Sequence, residues 1–80
     1  MDIAREIYEF IVAKFAIEVD EDFSADINLF DYGYVDSLNA MFILADLEKT
    51  YNIEITQRDL MLYPMSTINE IAAVVEGKLA

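Results

Sequence analysis

Apolar residues recur along this chain at intervals of three and four, the spacing that lines one face of a helix, and no stretch shows the strict alternation of a half-buried strand. The first segment, from about Asp2 to Ile17, gathers Ala4, Ile7, Tyr8, Ile11 and Phe15 on one side of a helical wheel, with Asp2, Arg5, Glu6 and Glu9 on the other. Such a helix buries one face. The last segment, from about Thr67, repeats the pattern with Ile68, Ile71, Ala72, Val75 and Leu79. Thr67 with Glu70 three residues on fits a capping box at its start. Between Tyr51 and Pro64, Thr56 and Asp59 predict a brief helix that ends before the proline. The stretch from Glu18 to Asp36 has no sustained period and contains Gly33, so it reads as a long connection, and such loops in small domains tend to be functional. The pattern therefore predicts an all-α, four-helix bundle with a long first loop and a short third helix. Its first, second and fourth helices should run roughly antiparallel.

The second helix, predicted from Ser37 to Tyr51 behind Asp36, is apolar on two sides. Ala40, Ile43, Leu44, Leu47 and Tyr51 cluster on one, and Leu38, Met41, Phe42 and Ala45 on nearly the opposite one. Asn39, Asp46 and Thr50 lie on one edge between them and Glu48 on the other. A helix of this kind is either central to its bundle or keeps one face for a partner. Lys49 shares the side of Leu38 and Phe42, which argues that this side opens to solvent. The Ala40 to Tyr51 side is the better core candidate.

Composition narrows the chemistry. Eighty residues permit one domain, here taken as residues 1–80, with a small core, since a chain of this size hides only about 60% of its unfolded surface. With 56% hydrophobic residues it still has enough to fold. Sixteen acidic against five basic side chains give a net charge of −11, and the basic ones are scattered. Nucleic acid is thus excluded as a partner, because phosphate binding needs clustered Lys and Arg, and anionic membrane surfaces are disfavoured for the same reason. The absence of Cys and His removes disulfides, thiol nucleophiles, zinc clusters and imidazole bases. No carboxylate is marked by the sequence as buried or paired, so a catalytic role is the weakest reading. The longest uncharged run, Leu60 to Asn69, is too short for membrane insertion. Asp2 lies where a signal peptide would be positive, so the expected location is cytoplasmic, and the strong negative charge favours a monomer.

Two features of the long loop suggest binding. Asp20, Asp22, Ser24, Asp26, Asn28 and Asp31 fall at the alternating ligand positions of a calcium loop, with Ile27 at its apolar middle. Ala25 stands where the sharp turn needs Gly, however, and Asp31 replaces the long bidentate Glu. A solvated acidic loop is the better account. The second feature is Asp36-Ser37-Leu38 at the junction of loop and helix. Alone it is an ordinary helix start, with Asp36 accepting from first-turn amides.

Its flanks alter that reading. The string Asp26-Ile27-Asn28-Leu29-Phe30-Asp31-Tyr32-Gly33-Tyr34-Val35-Asp36-Ser37-Leu38, followed by an apolar helix ending Leu47-Glu48-Lys49-Thr50-Tyr51, resembles the acyl carrier and peptidyl carrier superfamily. In that family a Leu-Phe-x-x-Gly-x-x-Asp-Ser-Leu segment presents the serine that receives 4'-phosphopantetheine from coenzyme A. The resemblance covers nearly the whole chain and implies an acyl-carrier-like bundle that is not an enzyme. It implies that Ser37 is the attachment point, that Asp36 combines capping with contact to a phosphopantetheinyl transferase, and that Gly33 supplies a turn bringing the loop tightly up to the helix. Leu38, Met41, Phe42 and Ala45 fall where carriers meet partner enzymes. The opposite side, with Ile43, Leu44 and Leu47, would pack against Ile7, Ile11, Ile71 and Val75.

Such carriers hold acyl or aminoacyl groups as thioesters and present them to acyltransferases or synthases. Fatty acid synthesis carriers usually show a strongly acidic second helix, whereas Phe42 and Ala45 here are apolar, and only Asp46 and Glu48 are acidic nearby. The apolar strip is more similar to peptidyl carriers and to small stand-alone carriers such as the D-alanyl carriers, which are loaded by an adenylating acyl- or aminoacyl-activating ligase. Met41, Met61 and Met65 hint at an adaptable docking region. A helical interaction module without a prosthetic group is the alternative.

Overall fold

The computed structural model describes residues 2–19, 21 and 23–80. They form four helices: α1 (Ile3–Lys14), α2 (Ser37–Tyr51), α3 (Gln57–Leu62) and α4 (Ile68–Leu79). Among the described residues there is no strand, as the helical periodicity predicts. The structure is therefore the all-helical, acyl-carrier-like bundle expected, with α1 seated chiefly on α4 and α2 leaning on α4.

Each helix begins with a side chain that accepts an amide left free by the first turn. Asp2, Asp36, Thr56 and Thr67 do so for α1 to α4 in order. At α3 and α4 the acid three residues on also accepts back from the cap, completing a capping box at both. The helix ends are less uniform. α1 stops at Lys14, three residues short of the predicted Ile17, because Ala16 turns into the left-handed region at φ 50°. There the Ile17 amide donates to the Val12 carbonyl at 3.0 Å and the Ala16 amide to Ala13 at 3.3 Å, the two bonds of a Schellman turn. α2 also ends at a left-handed residue, Asn52 at φ 54°, a type that tolerates this conformation, with the Asn52 and Ile53 amides both donating to the Glu48 carbonyl. Pro64 holds Tyr63 extended and closes α3.

The buried core draws Ile3, Ile7 and Ile11 from α1, Ile43 and Leu47 from α2, and Ile68, Ile71, Ala72 and Val75 from α4. Ile3 was not on the predicted face, and Leu79, which was, is 43% exposed at the last turn of α4. Fully burying each such aliphatic side chain contributes about 1.5–3 kcal/mol. The two-faced α2 resolves clearly. Ile43 and Leu47 are buried with Ala40, Leu44 and Tyr51 partly covered, while Leu38, Met41, Phe42 and Ala45 face solvent.

The long loop is no loose tether. Phe23, Leu29 and Val35, spaced six apart, are each at most 6% exposed and plug the core. Phe23 sits edge-on between Tyr8 of α1 and Tyr34, with centroids 5.5 Å apart in both pairs. The Leu29 amide donates to the Ser66 carbonyl at 2.8 Å, and the Asn69 amide donates to Ala25 at 3.1 Å. Two of the side chains considered for calcium, Asn28 and Asp26, are engaged within the protein. The Asn28 carboxamide oxygen accepts from the amides of Phe30 and Asp31, and Asp26 accepts from the Asn69 side chain. Asp20 and Asp22 lie outside the described residues.

One carboxylate that the sequence does not mark is both buried and paired. Asp59 of α3 is 8% exposed, accepts from the Lys78 ammonium at 2.7 Å, and also takes the Thr56 amide and hydroxyl. The Lys78 bond, then those from Thr56, hold its carboxyl down at about 2 against an ordinary 3.8. The sequence hides this because Lys78 is distant in the chain and the pair forms only when α3 folds against α4.

Candidate functional site

The site grows from the junction of loop and α2. Gly33 adopts φ 76°, a backbone conformation that side chains with a Cβ resist. A Cβ added there would meet nothing within 4 Å, so it is the backbone conformation of the turn, and not a lack of space, that favours glycine. Behind the turn, the amides of Tyr34 and Val35 both donate to the Leu29 carbonyl, at 3.0 and 3.2 Å. Those bonds fix Val35 in the core and leave Asp36 and Ser37 outside it.

Asp36 is the cap. Its carboxylate accepts from the Asn39 amide at 2.8 Å while its carbonyl accepts from Ala40 at 2.9 Å. Among the described residues the amides of Ser37 and Leu38 have no acceptor, which is the ordinary state of a helix start. Ser37 is exposed, so its hydroxyl stands at the positive end of α2 beside unspent donors. A phosphate ester at that oxygen would meet these amides and the helix dipole directly. With no His or Cys in the chain, nothing beside Ser37 would activate its hydroxyl as a nucleophile in the usual way.

From Ser37 an apolar strip runs up α2. Leu38 is 64%, Met41 69% and Phe42 54% exposed, with Ala45 beyond them and exposed Lys49 at the far end. The two acids of this helix do not flank the strip as free charges. Asp46 pairs with Lys14 of α1 at 3.0 Å, and Glu48 accepts from the Ile55 amide at 3.0 Å. The structure thus brings the six residues Asp36, Ser37, Leu38, Met41, Phe42 and Ala45 together along one exposed line. Met61, 86% exposed on α3, also faces water, whereas Met65 packs partly against the core. The sequence reading missed Leu60, Leu62 and Tyr63, which leave α3 largely apolar to solvent. Six residues are too few for periodicity to reveal which face is outward.

The phosphopantetheine attachment site family matches residues 5–75, and the chain belongs to it. Members of this family bind 4'-phosphopantetheine covalently and act as carriers, not as catalysts. They are served by a phosphopantetheinyl transferase and by acyl-processing enzymes. The residues at the α2 start fit the group, offering an exposed hydroxyl and two free amides for a phosphodiester. No curated protein matches the chain. No helix among the described residues is long and apolar enough to cross a membrane.

Proposed function

We propose that Ser37 receives the 4'-phosphopantetheine and that the protein carries acyl or aminoacyl groups as thioesters on it. The observation behind this reading is the placement of Ser37, exposed as the first residue of a capped helix, with two free amides beside it. The Ser37 oxygen forms the new bond to the pantetheine-side phosphorus while the pyrophosphate bond of coenzyme A breaks, adenosine 3',5'-bisphosphate leaves, and the transferase takes the hydroxyl proton. Once bound, the group supplies a thiol on a long arm. Asp36 holds the helix start rigid and offers the transferase a carboxylate.

The exposed strip Leu38–Met41–Phe42–Ala45 is the docking face for an adenylating acyl- or aminoacyl-activating ligase and for the downstream acyltransferase or synthase. Its apolar character, with Asp46 and Glu48 already bonded internally, supports a small carrier of the peptidyl or D-alanyl kind over one that docks through acidic charge. The net charge of −11 is consistent with a cytoplasmic monomer. Intact mass after incubation with coenzyme A and a broad-specificity transferase tests the central claim. One phosphopantetheine should add to the parent and none to Ser37→Ala. A folded parent that takes up nothing leaves only a helical interaction module.

A further inference from the structure

The short third helix is held differently from the other three. Among the described residues, α1, α2 and α4 each send two or more apolar side chains into the buried core, whereas α3 sends none. Its Leu60, Met61 and Leu62 are 48%, 86% and 57% exposed. Its one buried side chain is Asp59, which accepts from the Lys78 ammonium of α4 at 2.7 Å. We propose that α3 is a strap latched to α4 by this ion pair, and that it lifts and closes as a unit while the rest of the bundle stays folded.

Both ends of the strap are fastened, which confines the movement. Before it, the Ile53 amide donates to the Glu48 carbonyl at 3.1 Å and the Ile55 amide to the Glu48 carboxylate at 3.0 Å. After it, Met65 packs against the core and the Ser66 carbonyl accepts from Leu29. Between these anchors α3 adjoins α4 across a groove of about 480 Å³, walled by Tyr63 and Pro64 on one side and Ala73, Val74 and Gly77 on the other. Atoms facing such a gap lack the contacts that would otherwise bind the strap down. Among the described residues, no polar contact other than the ion pair joins residues 57–64 to α4. The Asp59 side chain is 11% and the Lys78 side chain 31% exposed, so salt screens the pair less than a free surface pair. The capping box survives lifting, because Thr56 and Asp59 both travel with the strap and keep it helical.

Amide hydrogen exchange of the full chain, followed by nuclear magnetic resonance, tests this at Leu60 and Tyr63, whose amides donate to Thr56 and Asp59 within the strap. In the parent they should be protected at least about tenfold less than the amides of Ile11 and Val75, as a local opening requires. Lys78→Met keeps the aliphatic stem and removes the charge. It should lower protection at Leu60 and Tyr63 about fivefold further and leave Ile11 and Val75 within about twofold. Lys49→Met removes an exposed charge at the far end of the α2 strip and should leave all four amides within about twofold. Three results each overturn the inference. The first is parent protection at Leu60 and Tyr63 equal to that at Ile11 and Val75. The second is an effect of Lys78→Met on the strap no larger than that of Lys49→Met. The third is a loss of protection in Lys78→Met that spreads evenly over all four helices.

Discussion

At the scale of single residues, Gly33 and Asp59 show how differently two side chains reveal themselves. Gly33 was legible as the turn before the helix, and its φ of 76° gives the physical reason. Replacing it by Ala forces a Cβ into the left-handed region and should cost about 1–2 kcal/mol, seen as a lowered urea midpoint with unchanged slope. Because space around it is open, the cost is conformational and not steric. Asp59 was illegible, since its partner Lys78 meets it only through tertiary packing. Its carboxyl titrates at about 2 when folded, below the ordinary 3.8, so its contribution is complete above pH 4 and is lost as pH falls through 2. Asp59→Asn should therefore be less stable at pH 7 but lose less on acidification between about pH 4 and pH 2. Chemical denaturation at a series of pH values measures both slopes. Tyr51 works at the other end of the scale. Burial, then its bond to Glu6, raises its phenol to about 12, so its contribution is present below pH 10 and fades as pH climbs through 12.

At the scale of elements, the helix starts were readable, as were the ends of α2 and α3, whereas the end of α1 was not. Caps are written locally, as Asp36, Thr56 and Thr67 show, because a short polar side chain and its amide lie three residues apart. The end of α1 is written in Ala16, a residue that gives no sign of a left-handed turn. The two faces of α2 were visible as a pattern, and Lys49 on the side of Leu38 and Phe42 already marked that side as the exposed one. Asp36→Ala should cost about 1 kcal/mol by loss of the cap, measurable by thermal unfolding. Phe42→Glu tests the outer face. It should leave far-ultraviolet circular dichroism unchanged, because Phe42 is 54% exposed, while slowing loading by the cognate ligase. Unchanged loading would remove Phe42 from the docking face.

For the whole molecule, charge dominates. Three ion pairs are present among the described residues, Arg5–Glu9, Lys14–Asp46 and Lys78–Asp59, and the first of them is largely exposed. Exposed pairs contribute little, whereas a net charge of −11 on 80 residues repels itself throughout. Raising ionic strength from about 0.01 M to about 1 M shortens the screening length from ~30 Å to ~3 Å. The thermal midpoint should rise over that range, and a fall would show that the few ion pairs outweigh the general repulsion. The helical class and the order of the elements were legible because they follow from periodicity. What the long loop does was not, since Phe23, Leu29 and Val35 obey no local period and owe their burial to partners elsewhere in the fold.

The anchoring of that loop has a consequence in time. Asp26 and Asn69, bonded through their side chains, are 43 residues apart in sequence, and Leu29 likewise waits for Ser66. Helices form quickly from neighbours, whereas contacts between distant segments come late because a long stretch of chain must first be closed. The turn that sets Asp36 and Ser37 in place is therefore tied, through Leu29, to the start of α4. A transferase that reads the folded surface at Ser37 would thus favour the closed bundle over an open chain. Modification would then mark each molecule that has closed its bundle.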